Sequence, residues 1–330
     1  MKARQHKTQP LTPSDFVVES SPKMKNCTGN LSTMLRSACT LPEGLVVFFA
    51  ALNIFLSMAA SLGNALILIA LHKVTSVQPP TKLLFRCLAV TDLCIGLITQ
   101  PLYATILLSI VTKMKRDILY YVWVTEIASV LILCEVSIFT STAISVDRLL
   151  ALLLGLRYRY VVTLRRVSVL IIIFWLTGIS IVFMNKFWNG NQFASFVAFG
   201  LQALSLVTSI FSYTRIFFKL RQHQAQVQGI RQGQPNGRGM PLNIARYKKT
   251  VSSIAWVQLA LVLCYVPLII TMVSTIITGW SGMSANIVMI SVQTIVCLNS
   301  SLNPILYCWR IKEVRRTVND TVRKFYCSSS

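Results

Sequence analysis

Acidic side chains are scarce in this sequence: 10 Asp and Glu stand against 32 Lys and Arg in 330 residues. Charged residues of both signs make up only 13%, about half the share usual in soluble domains. The three histidines, His6, His72 and His223, lie outside every long apolar stretch and cluster with nothing, so no enzymatic constellation is available. No continuous apolar core occupies the first 20 residues, which argues against a cleaved signal peptide and leaves the first span to act as an uncleaved insertion signal. Internal repeats and rings of charge are also missing, and with them the sequence marks of transporters and channels.

Apolar length is what the chain has. Hydrophobic residues reach 54%. A membrane-crossing helix needs about 20 mostly apolar residues. Seven stretches meet that length: Gly44–Leu71, Leu83–Ile110, Val122–Leu154, Val167–Met184, Phe193–Phe218, Val251–Ile277 and Ser284–Tyr307. The expected fold is an all-α membrane protein, a seven-transmembrane-helix bundle with a short amphipathic eighth helix. Residues 1–43 read as an extracellular disordered N-terminus, 44–308 as the bundle, and 309–330 as the amphipathic helix and cytoplasmic tail.

The net charge of +22 could point to nucleic acid, but its placement points to a lipid bilayer. Basic residues follow alternate spans: Lys73, Lys82 and Arg86; Arg157, Arg159, Arg165 and Arg166; Arg215 to Lys249; and Arg310 to Lys324. By the positive-inside rule these segments and the C-terminus face the cytoplasm and the N-terminus faces outward, as expected of a multi-pass plasma-membrane protein. Lys2 to Arg36 and Lys113 to Arg116 fall on the opposite side, outnumbered by the short-loop charges. Asn26-Cys27-Thr28 and Asn30-Leu31-Ser32 are glycosylation sequons in the outer segment. Of nine cysteines only Cys27 and Cys39 lie clearly outside, and whether they pair is open.

Between spans, Thr75 to Thr81 reads as a short inner loop through Pro79-Pro80, and Asn185 to Gln192 as a very short outer one. His223 to Asn243, rich in Gln and Gly, reads as a mobile inner loop. Basic and apolar residues alternate at helical spacing from Arg310 to Phe325, which suits a helix lying on the inner leaflet. Cys327 follows it as a candidate palmitoylation site, with a free thiol as the alternative.

Polar residues inside the spans mark the candidate sites, because they are expensive in hydrocarbon. Asp92 lies mid-span, Asn64 follows Gly63, and Asn299, Ser300 and Asn303 share the seventh span. At 100° per residue, Glu126, Val130, Ser137, Ser141 and Arg148 fall on one face of the third span. Asp92, Ser137, Asn299, Ser300 and Asn303 could hold a small hard cation through oxygen, or form a network that ties helices together; the two are compatible. Pro304 interrupts the last span between Asn303 and Tyr307 and must bend it. Asp147-Arg148 closes the third span as an ion pair that can hold one state and release in another.

Gly63-Asn64, Leu88-Ala89-Val90-Thr91-Asp92, Ser137-Ile138-Phe139 leading to Asp147-Arg148, Leu156-Arg157-Tyr158, Trp175, Tyr213, Pro267 and Asn303-Pro304-Ile305-Leu306-Tyr307 occur in one order along the chain. In that order they resemble the rhodopsin-like (class A) G-protein-coupled receptors, from about Gly44 to Phe325. The resemblance implies a receptor, not an enzyme, that passes binding of an extracellular ligand to a heterotrimeric G protein. It implies that Arg148 contacts the G protein once freed from Asp147, that Tyr213 and Tyr307 swing inward on activation, and that the Asp92 cluster takes an allosteric sodium ion; no other cofactor is expected.

Departures from the family narrow the reading. The usual disulfide at the top of the third span has neither partner, with Val122-Trp123-Val124 at one end and no Cys in Asn185–Gln192 at the other. Ser205 replaces the usual Pro of the fifth span. These features resemble the melanocortin, lysophospholipid, cannabinoid and adenosine receptor cluster. Tyr265 replaces the usual Trp toggle and Leu261 the usual Phe, which leaves room for a silent or constitutively active orphan receptor. Val130 stands where amine receptors carry Asp, Cys297 where opsins carry the Schiff-base Lys, and Met272 where adenosine receptors carry an adenine-binding Asn. The expected ligand is therefore peptide, lipid or nucleoside-like, with Glu126, Val130, Cys134, Tyr265 and Met272 as contacts. Glu126 is expected at the outer rim, as a ligand contact or a partner of Lys186. Glu135 points away from the inward line, towards the fourth or fifth helix. The alternatives are a non-signalling seven-helix protein and, further off, a transporter or channel.

Overall fold

Among the described residues, seven helices are long and apolar enough to cross a bilayer. The computed structural model describes residues 41–75, 77–112, 116–187, 193–233, 241–280, 282–310 and 315–318, with only the backbone described at 116, 186–187, 223–233, 241–258 and 306–310. The helices are α1 (Glu43–Lys73), α2 (Pro79–Thr112), α3 (Arg116–Leu154), α4 (Leu164–Phe187), α5 (Phe193–Gly233), α6 (Pro241–Thr278) and α7 (Met283–Arg310). A 3₁₀ turn, Gly155–Arg157, and one helical turn, Tyr158–Val161, join α3 to α4. No strand occurs among the described residues.

Side chains such as Phe55, Leu62, Leu97, Leu176 and Phe211 are exposed on the outer surface of the bundle, as suits contact with lipid. Burial is greatest along α3 and least along α4, so α3 forms the axis. Apolar layers are stacked along the bundle. Leu71, Leu84, Leu88, Ile144 and Val167 pack at the basic end. Ile95, Ile138, Leu206, Leu261, Tyr265 and Val296 fill the middle. Val46, Tyr103, Leu107 and Ile290 pack at the far end.

Helices in lipid approach through small residues. A Cβ on Gly63 of α1 would stand 2.8 Å from Pro304 of α7. One on Gly96 of α2 would stand 2.7 Å from the Ser61 hydroxyl of α1. Gly96 lies in a π-helical turn, Ile95–Thr99, and its carbonyl accepts a 2.7 Å hydrogen bond from Ser57. Gly279 ends α6 at φ +62°, with its N–H donating to Thr275.

Two loop expectations need correction. Pro79 and Pro80 open α2 instead of forming the loop, because a helix's first residues need no N–H donor and proline's fixed φ suits them. His223–Asn243 is not loop throughout: α5 runs on to Gly233 and α6 begins at Pro241. Gln, Arg and Ala are good helix formers, and their helix tendency extends both spans past the apolar run. Of the eighth helix only residues 315–318 are described; they are helical, and Val318 packs against the layer at the basic end.

Candidate functional site

The polar residues of α1, α2, α3 and α7 converge at the middle of the bundle. Asp92 is fully buried. Asn303 Nδ2 donates to its Oδ2 at 2.7 Å, Ser137 Oγ donates to its Oδ1 at 3.4 Å, and Ser300 lies within reach of the same carboxyl. Asn64 Nδ2 donates to the Ser300 carbonyl at 3.0 Å and to Ala60 in its own helix at 2.9 Å. Two ties missed from sequence extend the network: Ser301 Oγ donates to the Leu56 carbonyl, and Asn53 Nδ2 donates to Thr294 Oγ1, each at 3.0 Å. Asn53 carried no motif and could have been found only as a polar residue on the buried face of the first span.

Five residues expected to gather an ion thus include one carboxylate and several neutral oxygens. The Oδ1 atoms of Asn299 and Asn303 are buried without a hydrogen-bond donor. Asn303, bonded to Asp92 through Nδ2, thus has an unused oxygen acceptor beside the carboxyl, the kind of donor a hard cation takes. No group of three His, Cys, Asp or Glu side chains that could hold a metal ion occurs among the described residues.

At the basic end, Asp147 is buried and Arg148 half-buried, with Nη2 to Oδ2 at 3.3 Å. The pair does not stand alone. Tyr158 donates its hydroxyl to Asp147 Oδ1 at 2.5 Å, and Thr81 Oγ1 donates to Oδ2 at 2.9 Å. The guanidinium of Arg148 lies 6.0 Å from the centre of the Phe85 ring. Asp147 is therefore held by α2, by the connecting turn and by Arg148 together. Tyr158 was legible as part of a motif, but Thr81 was hidden in a predicted loop. The Tyr213 hydroxyl is buried opposite Ser145, with Arg148 nearby. Tyr307, expected to join them, has no described side chain, and Asn26, Asn30 and Cys327 lie outside the described residues.

The middle layer brings together several residues expected to meet a ligand. Tyr265 is buried and its hydroxyl donates to the Cys134 carbonyl at 3.4 Å, with Val130 in the same cluster. Met272 lies half-buried two turns further along α6. Glu126 is not at a solvent rim: it is 6% exposed on the inward face of α3, with Tyr103 of α2 and Cys297 of α7 near it. Gln100, unremarked in the sequence, is fully buried, with neither side-chain nitrogen nor oxygen hydrogen-bonded. Glu135 points to α5, where Gln202 faces it, but neither carboxyl oxygen is in a well-formed hydrogen bond. Thr142 Oγ1 reaches the Ser205 carbonyl at 3.2 Å and receives Ser209 Oγ at 3.0 Å, a hydroxyl tie at the position of the missing proline.

The seven transmembrane receptor (rhodopsin family) pattern matches residues 63–195. That segment runs from Gly63-Asn64 through the Asp92 network and the Asp147 cluster. Similarity extends further in individual relatives. Adenosine receptor A3 of Ovis aries is 26% identical over 294 residues, 82% of this chain and 88% of the relative. Adenosine receptor A2b of Gallus gallus is 23% identical over 320 residues, 85% and 90% of the two chains. Adenosine receptor A2b of Homo sapiens is 30% identical over 149 residues, 44% and 43%. The chain belongs to the rhodopsin-like family of G-protein-coupled receptors. It is a multi-pass membrane receptor and not an enzyme, and membership carries coupling to a G protein and response to an extracellular ligand. The transporter and channel alternatives fall with it.

Proposed function

We propose that this receptor lies in the plasma membrane, N-terminus outside and C-terminus in the cytoplasm, and answers a nucleoside-like ligand by driving nucleotide exchange on a heterotrimeric G protein. The observation that carries the ligand class is similarity to adenosine receptors over more than four fifths of the chain. Met272 replaces the Asn that the resemblance assigns to adenine, so the ligand is read differently from adenosine itself. Glu126, Val130, Cys134, Tyr265 and Met272 are its candidate contacts. Asp147, Arg148, Tyr213, Asn303, Pro304 and Tyr307 transmit the change, and Asp92, Ser137, Asn299, Ser300 and Asn303 hold sodium in the resting state.

The test is a screen of purine and pyrimidine nucleosides, peptides and lipids on cells expressing the receptor, read as guanine-nucleotide exchange. A nucleoside-like compound should raise exchange, and Glu126→Gln should shift its potency. A response confined to peptides or lipids would contradict the ligand class. A silent receptor is the second reading. The Tyr265 bond to the Cys134 carbonyl, which ties α6 to α3 where the family's toggle stands, favours it. Tyr265→Phe should then raise basal exchange.

A further inference from the structure

A cavity of about 400 Å³ opens on the outer surface of the bundle between α3, α4 and α5, apart from the polar core. Its volume lies within the roughly 300–1,000 Å³ range of small-ligand pockets. Phe139 and Phe174, tilted together with ring centres 5.2 Å apart, form part of its wall, and the exposed Leu170 and Leu204 flank its opening. Both threonine hydroxyls that line it are spent on backbone: Thr208 donates to the Leu204 carbonyl, and Thr142 to those of Ile138 and Ser205. A largely apolar slot facing the bilayer is the result.

Its mouth at the basic end is cationic. Arg166 lines the cavity, is exposed, and is braced by a 2.7 Å hydrogen bond from Nη1 to the Val161 carbonyl. Arg157, Arg159 and Arg165 are exposed on the same connection. The one acid in the lining, Asp147, is buried and already bonded to Tyr158, Thr81 and Arg148. No acidic residue occurs anywhere between Asp147 and Glu313. Basic pockets between helices at the headgroup level select anionic lipids.

We propose that this groove binds an anionic phospholipid, with one acyl chain along Phe139, Phe174 and Leu204 and the phosphate at Arg166. Because Val146 and Asp147 form its inner wall, the occupant packs beside the cluster that holds Arg148. The site depends on neither the ligand class nor the sodium ion proposed above.

The full chain, reconstituted in nanodiscs of equal phosphatidylcholine and phosphatidylglycerol, would be released into mild detergent and its retained lipids counted by native mass spectrometry. Wild type should keep one phosphatidylglycerol in preference to phosphatidylcholine. Arg166→Ala should cut that preference about fivefold, the equivalent of roughly 1 kcal/mol per basic residue at a membrane surface, and Arg166→Lys should restore most of it. Leu170→Trp, a lipid-facing change that fills the opening, should reduce retention of either lipid. Arg159→Ala, on the same connection but outside the groove, should leave the preference largely intact. Equal retention of the two lipids by wild type would overturn the proposal, as would equal losses in Arg159→Ala and Arg166→Ala, which would mark diffuse surface charge.

Discussion

Asp147 divides two carboxylate oxygens among three partners, and the division makes its neighbours separable by mutation. Tyr158 takes Oδ1, while Thr81 and Arg148 share Oδ2. Hydrogen bonds to a charged group contribute roughly 1.5–3 kcal/mol each. Asp147→Asn weakens all three, and Tyr158→Phe removes one. Basal nucleotide exchange should therefore rise in both, more in Asp147→Asn, within the roughly 5–150-fold span of allosteric coupling. A rise in Asp147→Asn alone would mean that Tyr158 positions the turn without restraining Arg148. The Asp92 cluster allows an equally local test. Ligand affinity or basal exchange should differ between sodium and a bulky organic cation at equal ionic strength, and Asp92→Asn should remove the difference. Identical wild-type behaviour in the two salts would leave a structural network and no ion site.

At the scale of helices, α1 is set against α2 and α7 by contacts that leave no room for a methyl group. Gly63→Ala would drive a Cβ into the Pro304 ring, at the residue where α7 must bend. Overpacking of this kind costs about 1–3 kcal/mol. Detergent-solubilised Gly63→Ala should melt several degrees below wild type, whereas Gly200→Ala on the lipid face of α5, where nothing lies within 4 Å, should be unchanged or more stable. Equal behaviour of the two variants would mean that the α1–α7 approach is not tight. Helix number and order were legible because hydrocarbon demands about 20 apolar residues per crossing. Helix ends were not, because beyond the bilayer apolarity no longer tracks helicity: α5 and α6 extend into polar sequence that is simply helix-prone. The π turn at Ile95–Thr99 was invisible for a related reason, since it depends on Ser57 of another helix meeting the Gly96 carbonyl.

Across the whole molecule, the centre of the polar core, from Asp92 to Asn303, was readable in sequence because its members break apolar runs, whereas Asn53 and Gln100 were passed over. What could not be read were partners brought from afar, such as Thr81 at Asp147 and Thr294 at Asn53, and the depth of Glu126. The outer end carries another consequence of the sequence. Cys87, Cys94, Cys134, Cys264 and Cys297 are free, and no cysteine stands at the top of α3. An impermeant reductant should accordingly leave surface folding and ligand binding nearly unchanged. A large loss that persists after Cys27→Ser with Cys39→Ser would reveal an unforeseen outer disulfide.

The central claim is that Arg148, held by a buried Asp147 in the resting state, is what the receptor delivers to a G protein. Guanine-nucleotide exchange on purified heterotrimers of each class, with wild-type receptor and Arg148→Ala compared at equal surface expression, tests it most directly. Arg148→Ala should abolish receptor-dependent exchange while leaving extracellular ligand binding recognisable. Equal exchange by the two proteins on every class of G protein would contradict the account.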